Sequence, residues 1–337
     1  MSAAQTLVDL FAGRRDAATL ATGEWEGVTG VARTEAMLAT LSHQLEGADL
    51  PPPVAALFAD QRVAAKVAQD QALWEAEMAR RALAPEGIEF VLLKGTAYAA
   101  AGLSCSSGRQ IGDLDILVLA SDIRRAENEL LEAGWEWVKS DPYDDHYYRE
   151  HMHELPPLIH KARDRMIDVH HTILPKTHRI TPDALALVSD AATTASGFAI
   201  LNPEDMACHC AAHMLADGDL QGGLRNLWDF NCLTRDFAAA DAGFWSKLDA
   251  RAGLHGLRAA VHRAARLARD LYGAELQAGW DRRDAGDFWY RHRLLARDDW
   301  GRSTNFVLQQ AFYIRSHWLR MPPRMLAGHL WTKWRKR

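Results

Sequence analysis

Several things are scarce in this sequence, and each scarcity narrows the possibilities. Only four of 337 residues are cysteine (Cys105, Cys208, Cys210 and Cys232), and they are unevenly spread. That suits reduced thiols in a cytoplasmic protein and argues against a disulfide framework. No apolar run approaches the roughly 20 residues that a membrane-spanning helix needs. The opening stretch MSAAQTLVDLFAGRRD lacks a basic segment followed by an apolar one, so no secretory signal is expected. A strong charge of one sign is missing too. The formal net charge of −5 argues against wholesale electrostatic binding of nucleic acid, leaving room for a local basic patch. Internal repeats and low-complexity segments are absent. What remains is a soluble, mostly helical protein, long enough for one large domain or two to three small ones.

Residues 1–85 read as helices. Apolar residues recur at helical spacing around Ala36 to Leu41, and an Ala-rich amphipathic stretch follows Pro51-Pro52-Pro53 until Pro85 and Gly87 stop it. The period then changes. Glu89 to Leu93 is a short strand-like run, followed by Lys94-Gly95-Thr96 and a helical stretch. Ile116 to Leu119 is a second such run. Ser121 is expected to cap the next helix and Gly134 to end it. Residues 135–139, 155–160 and 165–173 read as further strands separated by charged turns. Helical periodicity returns at Pro203 and persists to the end. This order predicts an α+β protein: a helical lead-in at 1–85, a small mixed-sheet core at 86–202, and a helical C-terminal region at 203–337.

Chemistry concentrates in the core. In Ile111-Gly112-Asp113-Leu114-Asp115-Ile116, the two aspartates are spaced to point to one side of a strand. Side by side they repel, and a cation between them relieves this; oxygen donors of this kind suit Mg²⁺ or Mn²⁺. Alone, an Asp-x-Asp pair is as readily two exposed acids. Three further features add weight. At Lys94-Gly95-Thr96, glycine lets the backbone approach a ligand, and Lys94 offers a point charge for phosphate. Arg109, just before the aspartates, is placed to clamp a triphosphate or to pair with the acids. Met166-Ile167-Asp168-Val169-His170 alternates, putting Asp168 and His170 on one strand face; a third carboxylate is what two-metal phosphoryl chemistry requires.

With these residues in hand, the order helix, strand, LLKGTA, helix, Gly-Arg, GDLDILV, helix, strand and IDVHHTI resembles the uncharacterised nucleotidyltransferase family of the polymerase β superfold. It is also similar to abortive-infection and minimal nucleotidyltransferase toxins. The resemblance covers about residues 30–235, including Asn226 to Asp229. It implies that Asp113 and Asp115 are metal ligands and that Asp168 is the third carboxylate. Gly95 and Thr96 stand at the superfold's Gly-Ser nucleotide-binding turn. Thr96 departs from the usual serine, and the spacer to Asp113 is longer than in the minimal members. The implied activity is metal-dependent transfer of a nucleoside monophosphate from an NTP, ATP among them, to a hydroxyl or phosphate acceptor: a small molecule, sugar or biosynthetic peptide. The alternatives are a toxin-like transferase acting on RNA and a non-catalytic nucleotide sensor or scaffold.

Weaker signals remain. Seven of the fifteen histidines lie between His146 and His178. They are read as groups around an anionic pocket, with a zinc site as the alternative; His151 and His153 have strand-face spacing, and His170 is singled out as phosphate-binding. Cys208-His209-Cys210 with His213 does not assemble four ligands from one helix, leaving His213 as a pocket residue. Asp229 is either a buried partner for such a histidine or an exposed acid. The segment 320–337 carries six Lys/Arg, two tryptophans and no acid. It reads as a solvated basic terminus, with a membrane surface, RNA or an acidic partner as the competing occupants.

Overall fold

Prolines and polar caps set the helix boundaries of the lead-in. The computed structural model describes residues 1–138, 142–282, 284–321 and 326. Helix α1 (Ala3–Phe11) starts at Ser2, whose hydroxyl accepts from the Gln5 N–H at 3.3 Å. In α2 (Thr22–Thr34) the Glu24 carboxylate reaches back to the Ala21 N–H at 3.1 Å, satisfying a donor the helix start leaves open. After α3 (Leu38–Gln44), α4 (Pro52–Leu83) opens with prolines in its first turn, where a missing N–H costs nothing.

The sheet follows. In chain order come β1 (Val91–Leu92), α5 (Lys94–Ala100), β2 (Leu114–Leu117), α6 (Ile123–Glu132), β3 (Trp135–Trp137), α7 (Pro142–His151), β4 (Leu158–His160), β5 (Met166–His170), α8 (Ala184–Ser189), β6 (Ala192–Thr193) and β7 (Ala199–Ile200). The strands form one mixed sheet in the order β3-β4-β5-β2-β1-β7-β6. Pairs β2–β5 and β1–β7 are parallel and the others antiparallel. Helices α4 and α6 pack against it, and each touches the other. Then come α9 (Pro203–Ala211), a π-helical turn at Ala212–Asp217, α10 (Gly223–Ala240), α11 (Phe244–Leu254), α12 (Arg258–Tyr272), α13 (Ala285–Leu295) and α14 (Phe306–Arg320). The protein is α+β, as expected. No helix among the described residues is long and apolar enough to cross a membrane.

Details differ from the sequence expectations. The cap of α6 is Asp122, not Ser121, and its carboxylate bonds Arg125 within the first turn at 3.0 Å. The three later strands are shorter than their apolar runs. Helix α7 occupies a stretch read as a turn, because its PYDDHYYREH sequence is too polar to show a period. His151 therefore ends a helix and shares no strand face with His153. Only Arg320, Met321 and Leu326 of the basic segment 320–337 fall within the described residues, so its reading lies outside them.

One buried apolar cluster runs from Ala4 to Phe312 and includes lead-in, sheet and C-terminal helices. Two buried ion pairs lock it across long sequence distances. Glu35, after α2, accepts from Arg297 at 2.8 and 3.0 Å and from the Leu224 N–H at 3.1 Å. Asp205, fully buried in α9, is bridged by Arg251 (2.6 and 2.5 Å) and His255 (2.8 Å). His255 accepts the Asp183 N–H at Nδ1 (3.1 Å), so it donates to Asp205 from Nε2. Burial alone would raise Asp205; hydrogen bonds from His255 and Arg251 outweigh it and hold the carboxyl below its usual range.

Asp205→Asn is therefore expected to cost about 3–5 kcal/mol at neutral pH, since it strips the charge from between buried partners. Because the folded value is depressed, that contribution is present above the ordinary aspartate value of about 3.9 and is lost as pH falls through the folded one. Urea titrations of both proteins, run from neutral pH downward, should show the gap closing.

Candidate active site

The parallel pairing of β2 with β5 places Asp115 directly beside Asp168, on strands whose spacing is about 4.8 Å. Asp113 precedes β2 by one residue. One carboxylate oxygen from each of Asp113, Asp115 and Asp168 lies within 4.8 Å of the other two. Their surroundings are unequal. Asp113 is exposed, Asp168 partly buried, and Asp115 only 3 % exposed.

Lys94 compensates the buried member. It starts α5 at the end of β1, in a left-handed conformation (φ 47°) that a side chain rarely adopts. Its Nζ donates to Asp115 Oδ1 at 2.6 Å, and His170 Nε2 lies 3.1 Å from the same oxygen. Burial pushes Asp115 up, but Lys94 and His170 dominate and hold it far below the usual carboxylate range. Lys94 is lowered by burial and raised more by Asp115, so it stays a cation. Asp168 has no ion pair among the described residues: burial first, then Asp115 and Glu154, lift it to about 7. Clustered oxygen donors that repel one another fit a hard divalent ion; these residues match the donor set expected from the sequence.

Behind the turn, Arg109 is committed elsewhere. Its guanidinium stands 5.4 Å from the Tyr98 ring centre and pairs with Asp229, itself 1 % exposed. A Cβ on Gly95 would come within 2.7 Å of Arg109 Nε, so glycine is required by this close approach. Gly108 (φ 68°) is required likewise, since a Cβ there would strike the Ala39–Thr40 backbone at 2.4–2.5 Å. Arg225 approaches Asp229 at 3.6 Å and donates to Thr40 Oγ1 at 2.6 Å and to the Ala36 carbonyl. Asp229 is thus the buried partner of arginines, not of a histidine, because α10 turns it toward the back of α5. Arg109 supports the turn from behind instead of facing the acids. Thr96 is 1 % exposed, its hydroxyl without a partner among the described residues.

Histidines surround the other side. The Leu155 N–H bonds the Val169 carbonyl and the His171 N–H bonds the His153 carbonyl, both at 2.9 Å. Residues 153–155 therefore run antiparallel to the end of β5, with Glu154 bridged to His170. Glu154, which sequence reasoning missed, comes to 3.5 Å from His170 Nε2. Nothing in HMHELPPLI marks it; only this pairing does. His213, in the π-helical turn, is driven down to about 3 by burial and then by Lys94. It lines a cavity of about 180 Å³ with Asn226 and Arg320. His209, also buried, is lowered by burial and next by Lys94.

The unequal surroundings predict opposite signs. In chelator, Asp115→Asn leaves Lys94 without its counter-charge and should lose on the order of 3 kcal/mol. Asp168→Asn removes a repelled carboxylate and should gain about 1 kcal/mol. Urea midpoints of the two variants against the parent check both.

The comparison with known proteins accords with this arrangement. A model of an uncharacterised nucleotidyltransferase family matches residues 21–273, well over half of the chain and all of the site described above except Arg320. No curated protein matches it. The chain belongs to this uncharacterised nucleotidyltransferase family and is an enzyme of that class.

Proposed function

We propose that the protein transfers a nucleoside monophosphate from an NTP to a hydroxyl or phosphate acceptor, releasing pyrophosphate, and that the reaction depends on Mg²⁺ or Mn²⁺. The observation that carries this is the convergence of Asp113, Asp115 and Asp168 within 4.8 Å beside the Lys94 ammonium. These three aspartates would hold the ion, which when bound neutralises triphosphate charge and polarises the reacting phosphate.

The chain's own residues supply position and charge. Asp115, locked between Lys94 and His170, fixes where the cluster sits. Lys94 places a permanent positive charge at the acids, where an incoming phosphate needs one. Asp168, on the strand beside Asp115, is the carboxylate placed to take the proton from an acceptor oxygen. The Gly95 turn lets the α5 backbone approach the nucleotide, with Arg109 and Asp229 bracing it from behind. His213 and its cavity are the place for part of the substrate. We read the acceptor as a small molecule, sugar or biosynthetic peptide.

Asp113 offers the cleanest test, because it is exposed and its removal leaves the Lys94–Asp115 pair intact. With each NTP and Mg²⁺ or Mn²⁺, pyrophosphate release and label transfer to a cell extract are expected to fall on the order of 10²–10³-fold in Asp113→Asn, with an unchanged urea midpoint. Parent-level transfer by that variant would overturn the reading. NTP binding without pyrophosphate release in the parent would replace it with a nucleotide sensor.

A further inference from the structure

Beside the aspartates lies a second cluster of different chemistry. His153, Glu154 and His170 each offer one donor atom, all within 4.8 Å of one another. We propose that these three residues form a separate metal site for a zinc-like divalent ion, contiguous with the aspartate cluster at Asp115.

The geometry is specific. His153 Nε2 lies 3.7 Å and His170 Nε2 3.5 Å from the same oxygen, Glu154 Oε2. Donors at 2.0–2.1 Å around a tetrahedral ion stand about 3.3 Å apart, so small adjustments seat an ion among all three. The rings face one another with centroids 5.2 Å apart. Both imidazoles are more than nine-tenths buried, at 8 % and 1 % exposure. The Nδ1 of each has no partner among the described residues, an unusual state for buried polar atoms. Both rings therefore make their polar approaches through Nε2, His153 to Glu154 and His170 to both Glu154 and Asp115. Backbone pairing along the end of β5 holds all three residues, so the cluster belongs to the sheet and not to a loose loop.

The donor set also selects the ion. Two imidazoles and one carboxylate suit zinc and its first-row neighbours, while three carboxylates suit Mg²⁺ or Mn²⁺. Three protein ligands is the number at zinc sites that keep a position for a substrate atom. His170 Nε2 lies 3.1 Å from Asp115 Oδ1, so an ion on that nitrogen would take the place of this hydrogen bond and set its own positive charge next to the aspartates. The competing occupant is the Lys94 ammonium, already bonded to Asp115.

Calorimetry of the metal-free full chain with Zn²⁺ decides between them, together with visible spectroscopy of the Co²⁺ form. One tight equivalent of Zn²⁺ is expected, with Co²⁺ giving the d–d absorption of a low-coordinate, nitrogen-ligated site. His153→Ala and Glu154→Gln should each weaken Zn²⁺ by about 10²-fold or more and abolish the absorption. Asp113→Asn should keep both, which separates this site from the aspartate reading whatever the transferase assay shows. His146→Ala and His151→Ala, from the same histidine-rich segment but outside the cluster, should bind as the parent does. Should His153→Ala fail to fold, Glu154→Gln, of equal size, decides alone. Absence of a tight equivalent, or parent-like binding in Glu154→Gln, overturns the proposal.

Discussion

The pairing of β2 with β5 is the constraint on which the rest depends. It sets two aspartates side by side, with a third one residue before the strand. Folding would resist that arrangement unless something compensated it. Lys94 does so for the buried Asp115, at the expense of an unfavourable backbone conformation. Strain at such a position persists when the surroundings over-determine it. Here the Gly95–Arg109 contact, the Arg109–Asp229 pair and Gly108 against α3 hold the turn from behind. Among the described residues Asp168 receives no equivalent help, and its raised proton affinity is what is left of the conflict.

Remote elements complete the same construction. Asp229 belongs to α10, yet it fixes Arg109 beneath α5. Arg225, one helical turn earlier, ties α10 to the backbone before α3. Glu35 then joins the lead-in to the start of α10 and to Arg297 beyond α13. The C-terminal helices also deliver His209 and His213 to the neighbourhood of Lys94. The candidate site is therefore a three-way junction of lead-in, sheet and C-terminal helices, and a change in any one of them alters where the charges stand.

Much of this was legible from local patterns. The Asp113/Asp115 spacing, the Lys94-Gly95 turn after an apolar run and the alternation around Asp168 each carry their meaning within a few residues. Strand and helix periods placed the elements that bear them. Other features had no local signature. Helix α7 is too polar to show a period, and the short β6 and β7 are two residues each. Arg109 looked like a phosphate clamp because an arginine beside acids has two possible partners. Its choice of Asp229 is a long-range contact across 120 residues.

By itself, then, the sequence determined the donor chemistry: three carboxylates, a lysine at a glycine turn, and a histidine two residues past the last aspartate. Those are properties of side chains at periods of two along single strands. Tertiary structure alone decided which charges meet. It buried Asp115 under Lys94, turned Arg109 away from the acids, and brought His153 and Glu154 alongside His170. The physical reason is that charge pairing and repulsion fall off with spatial distance, which pairing between strands and docking of helices create.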